Sequence, residues 1–157
     1  MVGDIAPNFS LEDQNGNIFE LYKNLDKKIL LVFYPKDNSL VCTKQLADYN
    51  NNIEMFNQND IRVIAINTNL IDSHLLFCDE LKLNFPMLSD GSKVVSKKYD
   101  AINILGINKR KLVLVDKNKK IIFEKVSSFF NYTGTKEIIS LLKQMQQIIL
   151  SNEIETN

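Results

Sequence analysis

Residues 29–34 read Ile-Leu-Leu-Val-Phe-Tyr, and this continuous apolar run decides the fold. Such a run is typical of a β-strand that is buried on both of its faces. Pro35 follows directly and ends the strand, because proline cannot donate a hydrogen bond to a central ladder. A strand of this kind needs neighbouring strands and covering helices, which indicates an α/β fold.

Helices and strands alternate along the chain after this run. Apolar side chains recur at helical spacing over 42–57, from Ile71 to Lys82 and from Ile138 to Ile149, which predicts three helices. Further strands are predicted over residues 61–66, 112–115 and 121–126. The order β-α-β-α-β-β-α indicates a parallel core with helices on both faces, a closing hairpin and a last helix. This is the thioredoxin-like arrangement, with a central mixed sheet.

Two segments lie outside this alternation. Residues 9–23 predict an N-terminal β-hairpin, whose turn is supplied by Asp-Gln-Asn-Gly-Asn at 13–17. Residues 84–110 predict an insertion before the third strand, with a short helix over 93–99. The sequence shows no internal repeat and no interdomain linker, so we expect residues 1–157 to form one domain.

Composition and charge disfavour several classes of protein. Hydrophobic residues make up 45% and charged residues 24% of the chain, which is the balance of a soluble globular protein. The formal net charge is zero, whereas a nucleic-acid-binding protein normally carries a basic surplus. No apolar run approaches the roughly 18 residues of a membrane helix, so no membrane partner is expected. Residues 1–7 do not resemble a signal peptide, and we expect a cytoplasmic protein.

The few cysteines and histidines limit the chemistry that the chain can perform. It has two cysteines, Cys42 and Cys78, and one histidine, His74. A structural zinc site takes four such ligands, and a secreted disulfide scaffold uses more cysteines in a shorter chain. The remaining interpretations are inert core thiols or redox and nucleophilic chemistry. We expect no metal site and no cofactor.

Cys42 lies at the start of the helix that follows the first buried strand. Ligands of open α/β sheets bind at the carboxyl ends of the strands, where this residue is expected. The first turn of a helix also offers unpaired N–H groups and the positive end of the helix dipole, which favour a thiolate over a thiol. The alternative is a small buried side chain, since Cys42 also begins the apolar stripe of its helix.

The residues around Cys42 carry a family resemblance. Pro35, Ser39 and Cys42 follow the spacing proline, three residues, serine or threonine, two residues, cysteine. This pattern resembles the active-site signature of the peroxiredoxins. Nearly the whole chain resembles the bacterioferritin-comigratory, or Q, type of that family. The further matches, in order, are residues 3–9, residues 85–90 and Arg110.

The resemblance implies a thiol peroxidase that reduces hydrogen peroxide and organic hydroperoxides, with thioredoxin-like donors returning the electrons. Cys42 would attack the peroxide, and Arg110 would supply a fixed cation near both the thiolate and the peroxide. Ser39 would hold the peroxide through its hydroxyl, while Pro35 would shield the thiolate from water. Without the resemblance, Arg110 reads as a solvated charge, Ser39 as a loop or cap residue and Pro35 as a strand terminator.

Cys78 has two interpretations. Some Q-type enzymes place a resolving cysteine five residues after the first cysteine, where this chain has Ala47. Others place it on the next helix, where Cys78 lies, so the resemblance implies an intramolecular Cys42–Cys78 disulfide. The alternative is a core cysteine on the stripe of Ile71 and Leu75, with an outside thiol resolving Cys42.

Other functions and two departures from the family pattern stay open. His74 could pair with Cys42 in a hydrolase-like dyad, although we expect an exposed residue near a helix start. A noncatalytic thioredoxin-like binding module is a further alternative. Gln45 stands where the family often has glutamate, which weakens an expected hydrogen bond or ion pair, and Ser39 replaces the commoner threonine. The Q type is often monomeric, so we expect a monomer.

Overall fold

The structure, a computed structural model, describes all residues from Met1 to Asn157. It contains one seven-stranded sheet with helices on both faces, and a short 3-10 helix at Leu21–Asn24. The strands are β1 (Ser10–Glu12), β2 (Ile18–Glu20), β3 (Lys28–Phe33), β4 (Ile61–Asn67), β5 (Met87–Ser89), β6 (Arg110–Val115) and β7 (Ile121–Ser127). The helices are α1 (Leu40–Asn51), α2 (Ile53–Gln58), α3 (Ile71–Leu81), α4 (Val94–Lys98) and α5 (Thr135–Glu155). None of these helices combines the length and the apolar character that crossing a membrane requires.

The sheet is mixed, and its strand order is β2-β1-β5-β4-β3-β6-β7. Strands β3, β4 and β5 run parallel, while β6 pairs antiparallel with both β3 and β7. The β1–β2 hairpin joins the sheet through Glu12, which pairs with Ser89 of β5. The predicted α/β class, mixed sheet and N-terminal hairpin are therefore confirmed.

The side chains of β3 alternate between two separate cores, one on each face of the sheet. Leu30 and Val32 pack into a cluster that includes Cys42, Cys78 and residues of α1, α3 and α5. The intervening residues Ile29, Leu31 and Phe33 pack into a second cluster on the opposite face. All side chains of the 29–34 run are fully buried, as a strand covered on both faces requires.

Two details differ from the prediction. The helix predicted over 42–57 is broken at Asn52, whose side-chain amide donates to the Asp48 carbonyl and competes with the backbone ladder. The insertion over 84–110 contains the strand β5, which pairs parallel with β4. A three-residue strand is too short to produce a recognisable apolar period, so the pattern did not indicate it.

Candidate active site

Cys42 is the third residue of α1 and lies just beyond the carboxyl end of β3. Ser39 is the N-cap of this helix, and the backbone N–H of Cys42 donates to its hydroxyl oxygen at 3.3 Å. Serine is a strong N-cap because its side chain satisfies an orphan N–H of the first turn. The Cys42 side chain is fully buried. The thiol is thus held at the positive end of a helix dipole, as predicted.

Arg110, the first residue of β6, reaches the Cys42 sulfur. Its Nη1 lies 3.3 Å from Cys42 Sγ and donates to Gln45 Oε1 at 2.6 Å. The other guanidinium nitrogens donate to two backbone carbonyls, those of Ser128 and Phe129, each at 3.2 Å. Four contacts therefore fix the orientation of the guanidinium against the thiol.

Arg110 is only 3% exposed, so its interpretation as a solvated charge is wrong. The neighbouring Lys111 points to the other face of the sheet, where its ammonium contacts the Tyr99 carbonyl and Glu124. No carboxylate lies within ion-pair distance of Arg110. Arg110 is thus a buried cation whose side-chain partners are the Cys42 sulfur and the Gln45 amide oxygen.

Gln45 supports the arginine from α1. Its Oε1 accepts from Arg110, and its Nε2 donates to the Tyr49 hydroxyl at 3.1 Å. That hydroxyl in turn donates to the Thr133 carbonyl at 2.7 Å. Gln45 therefore makes a short hydrogen bond to Arg110, but its neutral amide forms no ion pair.

Ser39 and Pro35 are half-buried on the loop between β3 and α1. The Ser39 hydroxyl oxygen accepts from the Cys42 N–H, which leaves its hydrogen available to another acceptor. The structure therefore brings Cys42, Ser39 and Arg110 together, with Pro35 on the same short loop.

Cys78 lies on α3 and is 7% exposed. Its sulfur accepts a long contact from Gln14 Nε2 at 3.6 Å, and Gln14 also binds the backbone N–H of Met87. Burial, followed by the negative charge of Asp79, raises the pKa of the Cys78 thiol above its ordinary value. Both cysteines are free thiols within the same apolar cluster. In this state Cys78 is therefore a protected thiol.

His74 is fully buried, so the prediction of an exposed histidine is wrong. Its Nδ1 lies 2.8 Å from Asp37 Oδ2, and its Nε2 lies 3.1 Å from the Leu88 carbonyl oxygen. Both ring nitrogens are thus occupied by groups other than Cys42. The structure does not contain the Cys–His dyad of a hydrolase.

Asp37 is the buried partner that sequence reasoning missed. It lies on the loop that carries Pro35 and Ser39, and its carboxylate also accepts from Tyr34 and Ser73. Burial acts against ionisation, but the hydrogen bonds from His74, Ser73 and Tyr34 outweigh it and lower the pKa of Asp37 below its ordinary value. No pattern in the sequence indicated this residue, because Ser73 and His74 are distant from it along the chain.

Tyr34 is equally buried at the end of β3. Burial, and then the charge of Asp37, raise the pKa of Tyr34 well above its ordinary value, so it stays a donor.

No group of three or more His, Cys, Asp or Glu side chains is arranged to hold a metal ion. The chemistry of this region is therefore that of a thiol, a guanidinium and hydroxyl groups.

Comparison with known proteins agrees with this geometry. The family model described as the AhpC/TSA family matches residues 2–124. The chain belongs to the AhpC/TSA family. It is 37% identical over 97 residues to a protein named as a peroxiredoxin, bcp, in Buchnera aphidicola, covering 62% of this chain and 61% of that protein. It is 35% identical over 97 residues to chloroplastic peroxiredoxin Q of Triticum aestivum, covering 62% of this chain and 45% of that protein. The resemblance to the Q-type peroxiredoxins is confirmed.

The matched region spans less than two thirds of the length of these two relatives. Solved structures support the thioredoxin-like peroxiredoxin fold. A PrxQ mutant from Xylella fastidiosa superimposes with a TM-score of 0.82 at 22% identity, covering 92% of this chain and 96% of that chain. Peroxidoxin BcpB from Mycobacterium tuberculosis superimposes with a TM-score of 0.76 at 24% identity, covering 80% of this chain and 85% of that chain. The predicted fold class is confirmed.

Proposed function

We propose that this chain is a thiol peroxidase that reduces hydrogen peroxide and organic hydroperoxides through Cys42. The observation that carries the proposal is the buried Arg110 guanidinium, 3.3 Å from the Cys42 sulfur at a helix N-terminus. The thiolate attacks one peroxide oxygen, so that an S–O bond forms while the O–O bond breaks. The leaving oxygen takes a proton and departs as water or an alcohol, and Cys42 becomes a sulfenic acid.

The other site residues act on the peroxide in this proposal. Arg110 polarises the O–O bond and stabilises the charge that develops on the leaving oxygen. Ser39 donates its free hydroxyl hydrogen to the bound peroxide, and Pro35 limits the access of water to the thiolate. Each role is consistent with the position of the side chain around Cys42.

Cys78 completes the cycle as the resolving cysteine. Its thiol displaces hydroxide from the sulfenic acid, which yields a Cys42–Cys78 disulfide and one water molecule. A thioredoxin-like dithiol then reduces the disulfide by thiol–disulfide exchange and is itself oxidised. The placement of Cys78 on the helix after β4, in the same apolar cluster as Cys42, supports the resolving role.

We further propose that residues 1–157 work as one monomeric domain, with a peroxide and a thiol reductant as their partners. Because the cycle needs free thiols, a reducing compartment suits it, and we propose the cytoplasm. Among the relatives, the Triticum aestivum protein is named as chloroplastic.

A single-cysteine peroxidase is the second candidate, and the burial of Cys78 favours it. Nonreducing mass analysis after one equivalent of peroxide separates the candidates in wild type, Cys78→Ser and Cys42→Ser. We expect a loss of two hydrogens in wild type, one added oxygen in Cys78→Ser and no change in Cys42→Ser. An added oxygen in wild type indicates a single-cysteine enzyme. An unmodified wild-type protein contradicts the peroxidase and favours a noncatalytic binding module.

A further inference from the structure

A buried polar cluster lies where the carboxyl ends of β3, β4 and β5 meet, and the Asp37 carboxylate is its centre. Oδ1 accepts from the Tyr34 hydroxyl at 2.5 Å and from Asn67 Nδ2 at 3.1 Å. Oδ2 accepts from Ser73 at 2.6 Å and is 2.8 Å from His74 Nδ1. One oxygen is therefore bound to the sheet, and the other is bound to the first turn of α3.

Both ring nitrogens of His74 face hydrogen-bond acceptors. Nδ1 faces the Asp37 carboxylate and Nε2 faces the Leu88 carbonyl, so the ring bridges the loop before α1 and the strand β5. The side chains of Asp37 and His74 are 2% and 0% exposed. Breaking such a buried pair by removing one partner is costly, because the other charge stays buried.

The rest of α3 is weakly held. Besides His74, it fully buries only Phe77 and Cys78, while Leu75 and Leu76 are exposed. Its carboxyl end is tied by the half-buried Asn50, whose amide donates to the Lys82 carbonyl and accepts from the Asn84 N–H. The Asp37–His74 pair is thus the buried polar tie at the amino end of the helix that carries Cys78.

We propose that Asp37 and its two partners on α3, Ser73 and His74, form a clamp that fixes α3 in the reduced protein and sets the rate at which Cys78 reaches Cys42. This inference rests on the proposed Cys42–Cys78 disulfide. The clamp joins the loop that precedes Cys42 to the helix that holds Cys78, so it must open before the two sulfurs meet. Asp37 and His74 are positioning residues, since neither contacts the Cys42 sulfur.

Two amide substitutions at position 74 separate the clamp from ordinary packing. The amide nitrogen of asparagine can occupy the place of Nδ1, so His74→Asn keeps the bond to Asp37 and loses the bond to Leu88. The amide nitrogen of glutamine can occupy the place of Nε2, so His74→Gln keeps the bond to Leu88 and loses the bond to Asp37. Each variant removes one hydrogen bond and the ring, but only His74→Gln opens the clamp.

The experiment follows disulfide formation by rapid mixing with one equivalent of hydrogen peroxide and acid quenching. We expect His74→Gln to form the Cys42–Cys78 disulfide roughly ten-fold faster than wild type, because a bond to a charged group is lost. Hydrogen exchange over residues 71–83 of the reduced protein should quicken in parallel, while His74→Asn stays close to wild type. In a Cys78→Ser background, oxidation of Cys42 should change by less than about two-fold, since His74 does not contact the Cys42 sulfur.

Equal rates of disulfide formation in wild type and His74→Gln overturn the clamp and leave the proposed resolving role intact. Equal acceleration in His74→Gln and His74→Asn also overturns it, because general loosening then explains the effect. If wild type forms a stable sulfenic acid and no disulfide, both the resolving role and the clamp are wrong. Ser73→Ala serves if His74→Gln does not fold, with an expected acceleration of about two- to ten-fold from the loss of one neutral donor. An unchanged rate in that variant contradicts the clamp.

Discussion

At the scale of single residues, the unusual feature is a buried arginine that has no carboxylate partner and contacts the sulfur of a cysteine. The Arg110 guanidinium binds two backbone carbonyls, the Gln45 amide oxygen and the Cys42 sulfur. A glutamate at position 45 would neutralise the cation, and glutamine does not. In the proposed reaction, the guanidinium is therefore free to stabilise the charge that develops on a peroxide oxygen.

Replacement of Arg110 tests this arrangement. We expect Arg110→Ala to slow the oxidation of Cys42 by roughly ten- to a hundred-fold, since one charge-assisted contact is worth about 1.5–3 kcal/mol. Arg110→Lys should recover little, because an ammonium does not reproduce the forked donor. Stopped-flow kinetics with hydrogen peroxide measure the rate, and Arg62→Ala, which removes the other arginine, is the matched control. Full activity in Arg110→Ala would mean that the guanidinium has only a structural role.

Ser39 is the N-cap of α1 and, in the proposed function, also a donor to the peroxide, and two substitutions test these roles. Ser39→Ala removes the N-cap of α1 and should lower the free energy of unfolding by about 0.5–2 kcal/mol, as well as slow peroxide reduction. Ser39→Thr keeps the hydroxyl and should preserve both quantities. Urea unfolding and the rate of Cys42 oxidation are the measurements. If Ser39→Ala lost stability but kept its rate, the hydroxyl would be a cap and nothing more.

The ionisation of Asp37 predicts how stability depends on pH. Its pKa is lowered in the folded protein, so its contribution is present above the unfolded pKa of about 3.9 and is lost as the pH falls through the folded value. Wild type should therefore lose more stability than Asp37→Asn on acidification from about pH 6 to pH 3. Urea unfolding at both pH values measures this difference, with the exposed Asp72→Asn on α3 as the control. Parallel pH profiles for wild type and Asp37→Asn would contradict the assigned ionisation.

At the scale of elements, α1 and α3 hold two free thiols that contact different partners. A disulfide needs Cα atoms within about 7 Å and Cβ vectors that face each other. Cys42 is turned toward Arg110, whereas Cys78 is covered by Gln14 from the hairpin turn. Asn52 ends α1, while the side chain of Asn50 ties α1 to the end of α3. Opening one helix therefore loosens the other.

Oxidation should unwind parts of both helices. After one equivalent of peroxide, we expect faster hydrogen exchange over residues 40–50 and 71–83 and a loss of helical circular dichroism. Such local openings cost only a few kcal/mol, which the disulfide can offset. Cys78→Ser treated in the same way is the control and should keep the exchange of the reduced protein. An intramolecular disulfide with unchanged exchange in both windows would show that no unwinding occurs.

At the scale of the whole molecule, one chain holds every group that the proposed cycle needs before the reductant acts. Disulfide formation should therefore be first order and independent of protein concentration, and nonreducing electrophoresis should show an 18.1 kDa species. Analytical ultracentrifugation of the reduced and oxidised protein checks the expected monomer. A rate that rises with protein concentration, or a disulfide-linked dimer, would contradict an intramolecular cycle.

The sequence by itself determined the fold class and the position of Cys42 in the fold. The apolar run over 29–34 required a strand that is covered on both faces, and the structure buries all six side chains. The proline, serine and cysteine spacing placed Cys42 at a helix start and indicated the family. These properties are local, because the period of the apolar side chains and the chemistry of caps and turns act between residues close in the chain.

Only the tertiary structure decided what surrounds Cys42. The antiparallel register that pairs Phe33 with Lys111 carries Arg110 past the end of β3, where it meets the first turn of α1. The crossover that sets β5 beside β4 brings His74 to Asp37 and buries both. The sequence around His74 and the basic run that contains Arg110 do not indicate whether these side chains are buried or exposed. Strand order and register set those environments, and they depend on packing between segments that are distant along the chain.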